Sequence, residues 1–141
     1  MTFRRQAVEA RLRRLQDVIR RLHKLREASL ERFRGDEDLQ WLAERGLHLG
    51  CEIVLDVGNH VLSGAFGRPA ETYEQILSGL GREGVLSPEL ILEVGGLGGF
   101  RNLLVHVYLD LDPERVWQIL QRAPDRFERF TREIAAWLES A

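Results

Sequence analysis

From Thr2 to Arg34 the chain runs without a glycine or proline, and its apolar residues fall at Val8, Leu12, Leu15, Ile19, Leu22, Leu25 and Phe33. Steps of three and four match the 3.6-residue period of a helix and do not suit a strand. The stretch is therefore expected to form one long amphipathic helix, which needs other apolar helix faces to pack against. The rest of the chain supplies them. Gly35 and Asp36 read as a stop and a new N-cap. A second helix is expected from Asp36 to about Leu62, with Leu39, Leu42, Leu49, Ile53, Val57 and Val61 inward. After a glycine- and proline-bearing loop at Ser63–Pro69, a short helix is expected over Glu71–Leu80, with Tyr73, Ile76, Leu77 and Leu80 inward. Ser87-Pro88-Glu89 and Asp112-Pro113-Glu114 each place a capping side chain before a proline at the first helical position. Pro124 should interrupt the helix begun at Pro113, and Phe127, Phe130, Ile134, Trp137 and Leu138 mark a last helical stretch. No segment alternates with period two. The expected fold is all-α: an up-and-down bundle of about five helices in a single domain, residues 1–141. Val8, Leu12, Leu15, Ile53, Val57, Leu103 and Val107 should be largely buried.

Charge adds a functional question. The net charge of the whole chain is −2, but residues 1–34 carry eleven Lys/Arg against four Asp/Glu, a net of +7. The remainder carries nine against eighteen, a net of −9. Such asymmetry has two readings of equal weight: a surface for nucleic acid, or a basic helix lying against acidic ones in the same fold. No apolar run approaches the ~20 residues of a membrane span. The arginines near the N-terminus are not followed by the apolar stretch of a signal peptide. The single cysteine, Cys51, has no partner for an internal disulfide. These features point to a cytoplasmic protein without a membrane segment.

Two groups of side chains carry chemistry. His48, Glu52, Asp56 and His60 recur every four residues along the second helix. Imidazoles and carboxylates at that spacing can hold a metal, but no further Cys or His cluster completes the set. The stripe is read instead as a polar seam that pairs with an arginine of another helix. The second group is Arg101, Asn102, His106 and Tyr108. At about 100° per residue these four fall on one arc, and Leu103, Leu104 and Val107 on the opposite one. The plainest reading is a solvated helix face with a hydrogen-bonded histidine. Just before it, Gly95, Gly96, Gly98 and Gly99 each weaken a helix by up to about 1 kcal/mol relative to alanine. They mark either a break or a close backbone approach.

The run Gly99-Phe100-Arg101-Asn102, followed by His106 and Tyr108, resembles the R-N-x3-H-x-Y signature of HEPN-domain proteins, and in particular of the HepT-like toxin family. Glu52, Asp56, Asn59, His60, Tyr73 and Asp112 resemble that family's pattern too, so the likeness spans nearly the whole chain. Val107 departs from it, standing where the family often has an acidic or polar residue. The resemblance implies a HEPN-like bundle and a ribonuclease toxin that acts without metal or cofactor as a homodimer. Arg101 and His106 of both chains would be catalytic, supported by Asn102 and Asp56. It further implies an RNA substrate (mRNA or tRNA) and a minimal nucleotidyltransferase antitoxin that adenylylates Tyr108. Asp56 is expected to approach Arg101 or His106. The alternative is a non-catalytic HEPN-like module that binds nucleotide or RNA and scaffolds a nucleotidyltransferase.

Overall fold

The computed structural model describes residues 3–95 and 112–141, and every regular element among them is a helix. α1 spans Arg5–Leu25, α2 Leu30–Arg34, α3 Glu37–Phe66 and α4 Tyr73–Arg82. α5 is helical over 88–95, where the described residues pause, and α6 spans Pro113–Ser140. α1, α3 and α6 pack on one another, α4 lies against α3, and α2 bridges α3 and α6. Contacts such as Arg11 with Asp56 and Leu22 beside Gly46 set α1 antiparallel to α3. Arg5 meets Glu139 and Arg26 meets Asp125, so α1 is antiparallel to α6 as well. α3 and α6 therefore run parallel, with α4 and α5 between them in the chain.

One connected apolar cluster is shared by these helices. Val8, Leu12, Leu15 and Val57 are buried as expected, and so are Tyr73, Ile76, Leu77 and Leu80. Ile53 is only partly buried. Leu103 and Val107 lie outside the described residues. The buried face of α3 also differs from the expected one in its first half. Leu42 is 59% exposed, while Ala43, Leu47, Gly50, Cys51 and Val54 face inward. The reason is the small residues. A Cβ at Gly50 would overlap the Phe127 ring, and one at Gly58 would overlap Ile76. The absence of side chains there lets α6 and α4 approach the α3 backbone closely.

The cap signals hold. The Asp36 carboxylate accepts from the Leu39 N–H at 3.0 Å, and Asp112 from Glu114 N–H at 3.1 Å. Thr72 and Gln75 form a reciprocal capping box. α3 runs one turn past the expected Leu62, to Gly67, whose φ of 63° closes the helix in a left-handed cap.

Two expected boundaries are corrected. The first helix does not reach Arg34. It stops at Leu25, and a turn over Arg26–Ser29 leads into α2, where the Ser29 hydroxyl accepts from Arg32 N–H at 3.1 Å. Side chains from α6 pin this turn. The Trp117 indole donates to the Ala28 carbonyl at 3.0 Å. Arg26 donates to the Gln121 carbonyl at 3.0 Å and to Asp125 at 2.9 Å. The turn swings Phe33 into the core, where it is fully buried.

Nor does Pro124 interrupt α6. The proline lacks the N–H that Leu120's carbonyl would receive, at a cost of roughly 3 kcal/mol. Val116, Leu120, Ala123, Phe127, Phe130, Ile134 and Leu138 are buried along the same helix. Each large apolar side chain among them contributes about 1.5–3 kcal/mol, so packing outweighs the proline. Arg26, bonded to the neighbouring Gln121 carbonyl, further holds the helix at this point.

Candidate active site

The polar stripe of α3 is a seam of paired groups. His48 and Glu52 approach at 3.6 Å. Asp56 Oδ2 receives the Arg11 Nε–H of α1 at 2.6 Å, so the arginine expected from another helix is Arg11. The Ser63 hydroxyl donates to the Asn59 side-chain oxygen at 3.4 Å. His60 Nε2 accepts the Arg4 backbone N–H at 3.1 Å, and its ring rests against Phe3. That bond needs a lone pair on Nε2, which leaves Nδ1 as the donor nitrogen. Asp56 remains half-exposed beside Arg11, able to serve a second cation.

Ahead of the Arg101–Tyr108 segment, the start of α5 is anchored to α6. Ser87 caps α5 by accepting from Leu90 N–H at 3.2 Å. Its own N–H and hydroxyl donate to the two oxygens of Glu133 on α6, at 2.6 and 2.8 Å. Arg129 then bonds Glu133 at 3.1 Å and Glu93 at 3.3 Å. One carboxylate and one guanidinium thus fasten the start of α5 to α6. After the segment, Asp112 caps the start of α6.

Tyr73 is buried at 4% exposure. Among the described residues its hydroxyl has no hydrogen-bond partner. Burial, with the nearby Cys51 and Glu74, pushes the phenol well above its ordinary range. The group therefore stays neutral, a donor rather than a base. His23, Asp125 and Glu128 bring ligand atoms within 4.8 Å of one another. A cation of the protein already serves that cluster: Arg26 Nη2 lies 2.8 Å from His23 Nδ1, and Nη1 lies 2.9 Å from Asp125.

Of the residues singled out from the sequence, Asp56 is on the seam described above. Arg101, Asn102, His106 and Tyr108 lie outside the described residues, as does the glycine run apart from Gly95. A Cβ on Gly95 would meet nothing within 4 Å among the described residues. Sequence reasoning passed over Arg11, although it sits on the polar face of α1, and over Trp41, whose ring is 74% exposed on α3. The reading of the basic N-terminal stretch as lying against acidic helices is met by part of its charge. Arg5, Arg11, Arg26 and Arg34 pair with Glu139, Asp56, Asp125 and Glu114 on other helices. Arg14, Arg20 and Arg21 instead share the one carboxylate of Asp17.

Comparison with known proteins agrees with this architecture. The family model described as "Ribonuclease HepT-like" matches residues 15–134. The tRNA nuclease HepT of Aphanizomenon flos-aquae (strain 2012/KM1/D3) is 29% identical over 131 residues, 93% of this chain and 89% of that protein. The cytosolic protein YutE from Bacillus subtilis superposes with a TM-score of 0.86 at 23% identity, covering 99% of this chain and 94% of its own. A tri-AMPylated Shewanella oneidensis HEPN toxin, solved in complex with its MNT antitoxin, gives a TM-score of 0.81 at 22% identity, over 92% and 96% of the two chains. Among the described residues no helix is long and apolar enough to cross a membrane. With its all-α fold and a family match over most of its length, the chain belongs to the HepT-like ribonuclease family.

Proposed function

We propose that the protein is a metal-independent RNA endonuclease toxin. It acts as a two-fold homodimer, with Arg101 and His106 of both protomers lining one cleft. The observation that carries this reading is the intact Arg101/His106 pair in a chain that matches a ribonuclease family. Cleavage without metal needs a base to take the ribose 2′-OH proton, so that O2′ bonds to phosphorus. It also needs an acid to protonate the departing 5′-oxygen as the P–O5′ bond breaks. An imidazole with an ordinary pKa near 6.5 serves either step. A guanidinium stabilises the extra charge on the phosphorane. On one helix Arg101 and His106 would be roughly 140° apart; two copies across a symmetry axis supply both groups to one cleft more readily than one chain does. Asn102 and Asp56 support the pair, Asp56 by orienting its cation or fixing the histidine tautomer. The named activity of the Aphanizomenon relative makes tRNA the first substrate to test, ahead of mRNA.

Control falls to Tyr108. The AMPylated state of the Shewanella toxin and its MNT partner support a nucleotidyltransferase antitoxin that transfers AMP to this hydroxyl. ATP loses pyrophosphate, and a phosphodiester forms between the phenol oxygen and the α-phosphate. The new negative charge pairs with Arg101, and the nucleotide fills the cleft. Co-expression with such a partner should add AMP-sized mass increments to the wild-type protein and not to Tyr108→Phe, read by intact-mass spectrometry. Adducts at an undiminished level on Tyr108→Phe would place the acceptor elsewhere.

A further inference from the structure

Beside the seam, on the same pair of helices, α1 and α3 enclose an open groove of about 590 Å³. Arg14, Arg20, Arg21 and Lys24 line it from α1 and Arg45 from α3, over an apolar floor that includes Leu42. Among the described residues no carboxylate lines it. Asp17 ties back three of the arginines from outside the groove. Five cations against that single charge leave a net of +4. At its α3 end the groove continues through Leu42 and Arg45 into a recess formed with Trp41 and Asp38. A 74%-exposed tryptophan beside a cationic groove runs against ordinary surface composition and suits a stacking platform.

We propose that this groove is a track for the RNA chain, with phosphates on Arg14, Arg20, Arg21, Lys24 and Arg45 and a base stacked on Trp41. The proposal rests on the reading of the protein as a ribonuclease and names where that enzyme holds its substrate away from the reacting bond. The dimensions fit. From Arg14 to Lys24 α1 advances about 15 Å, over which one nucleic-acid strand lays down about four phosphates. Charge decides between occupants. A second copy would bring the same +4 surface against itself, whereas a polyanion releases counterions on binding. The shared carboxylate holds three guanidiniums in place while leaving most of their charge for a ligand.

The experiment uses full-length protein carrying His106→Ala, so that binding is read without cleavage. Labelled tRNA is titrated by fluorescence anisotropy over a range of salt. Arg14→Glu/Arg21→Glu/Arg45→Glu should weaken binding by a hundredfold or more, and flatten the slope of log K against log salt by about 2. Trp41→Ala should weaken binding about tenfold and Trp41→Phe much less, because a phenyl ring still stacks. Arg122→Glu on α6 is the charge control and should bind within twofold of the parent. Melting curves confirm that each variant is folded. Unchanged tRNA affinity in the folded triple variant overturns the proposal. So does a triple variant that loses self-association, or capture of the nucleotidyltransferase, while its tRNA affinity stands. Separately, the triple substitution in the active protein should slow tRNA cleavage yet leave cleavage of a dinucleotide, too short to reach the groove, at the parental rate. A protein that binds tRNA through the groove but cuts nothing supports the track and counts against the ribonuclease reading alone.

Discussion

Phe127→Ala is expected to lower the unfolding free energy by about 3–5 kcal/mol, the range for deleting a fully buried phenyl ring. Phe127 has no exposed surface, and its ring lies on the Gly50 backbone of α3, where a Cβ would overlap it. It therefore marks a point at which the two parallel helices approach closely. The ring's own transfer to water accounts for only part of the loss. The rest is the cavity left at a backbone with no side chain to fall into it, on helices fixed by α1 and α2. For a chain of this size each 1 kcal/mol moves the midpoint by roughly 3–4 °C, so a drop of about 10–20 °C is expected. Against a typical total stability of about 5–15 kcal/mol, that leaves a marginal protein. Urea unfolding of both proteins checks it. A loss below about 1 kcal/mol would mean that α3 and α6 do not pack as described.

Arg101→Ala is expected to slow RNA cleavage by about 10²–10³, the usual effect of removing one group that stabilises transition-state charge. Arg101→Lys should recover only part of the rate, since an ammonium is a point charge and cannot grip two phosphate oxygens in parallel. The effect should fall on kcat rather than on tRNA affinity, because the α1–α3 groove carries the binding. Single-turnover rates at saturating protein separate the two. A loss confined to affinity, with an unchanged single-turnover rate, would move Arg101 from the reacting phosphate to the binding surface.

The helix starts were legible because their causes are local. Asp36, Ser87 before Pro88, and Asp112 before Pro113 each cap the helix that follows with their own side chain. The break after Leu25 was not legible, because residues some ninety positions away hold it in place. Nothing between Arg26 and Ser29 forbids a helix; Trp117 and Arg26's partners on α6 select the turn. Pro124 misled in the opposite direction, since its local penalty is real but smaller than the burial gained along α6. On α3, Leu39, Val57 and Val61 are buried as expected, but Leu42 is exposed and Leu49 and Ile53 are only partly buried. That helix meets α1, α4 and α6 together, and Gly46, Gly50 and Gly58 mark close contacts with them. An arginine of another helix was expected at the α3 seam and Arg11 meets Asp56 there, whereas the expected approach of Asp56 to Arg101 or His106 lies outside the described residues. That Arg11 is the described partner depends on how α1 and α3 cross, which no spacing within either helix encodes.

The most direct test of the catalytic account is incubation of the purified protein with tRNA in excess EDTA, beside the His106→Ala variant under the same conditions. The account predicts discrete cleavage by the wild type that EDTA leaves intact, and a rate lower by about 10²–10⁴ for His106→Ala. Cleavage that EDTA abolishes, or that His106→Ala leaves at the wild-type rate, would contradict it.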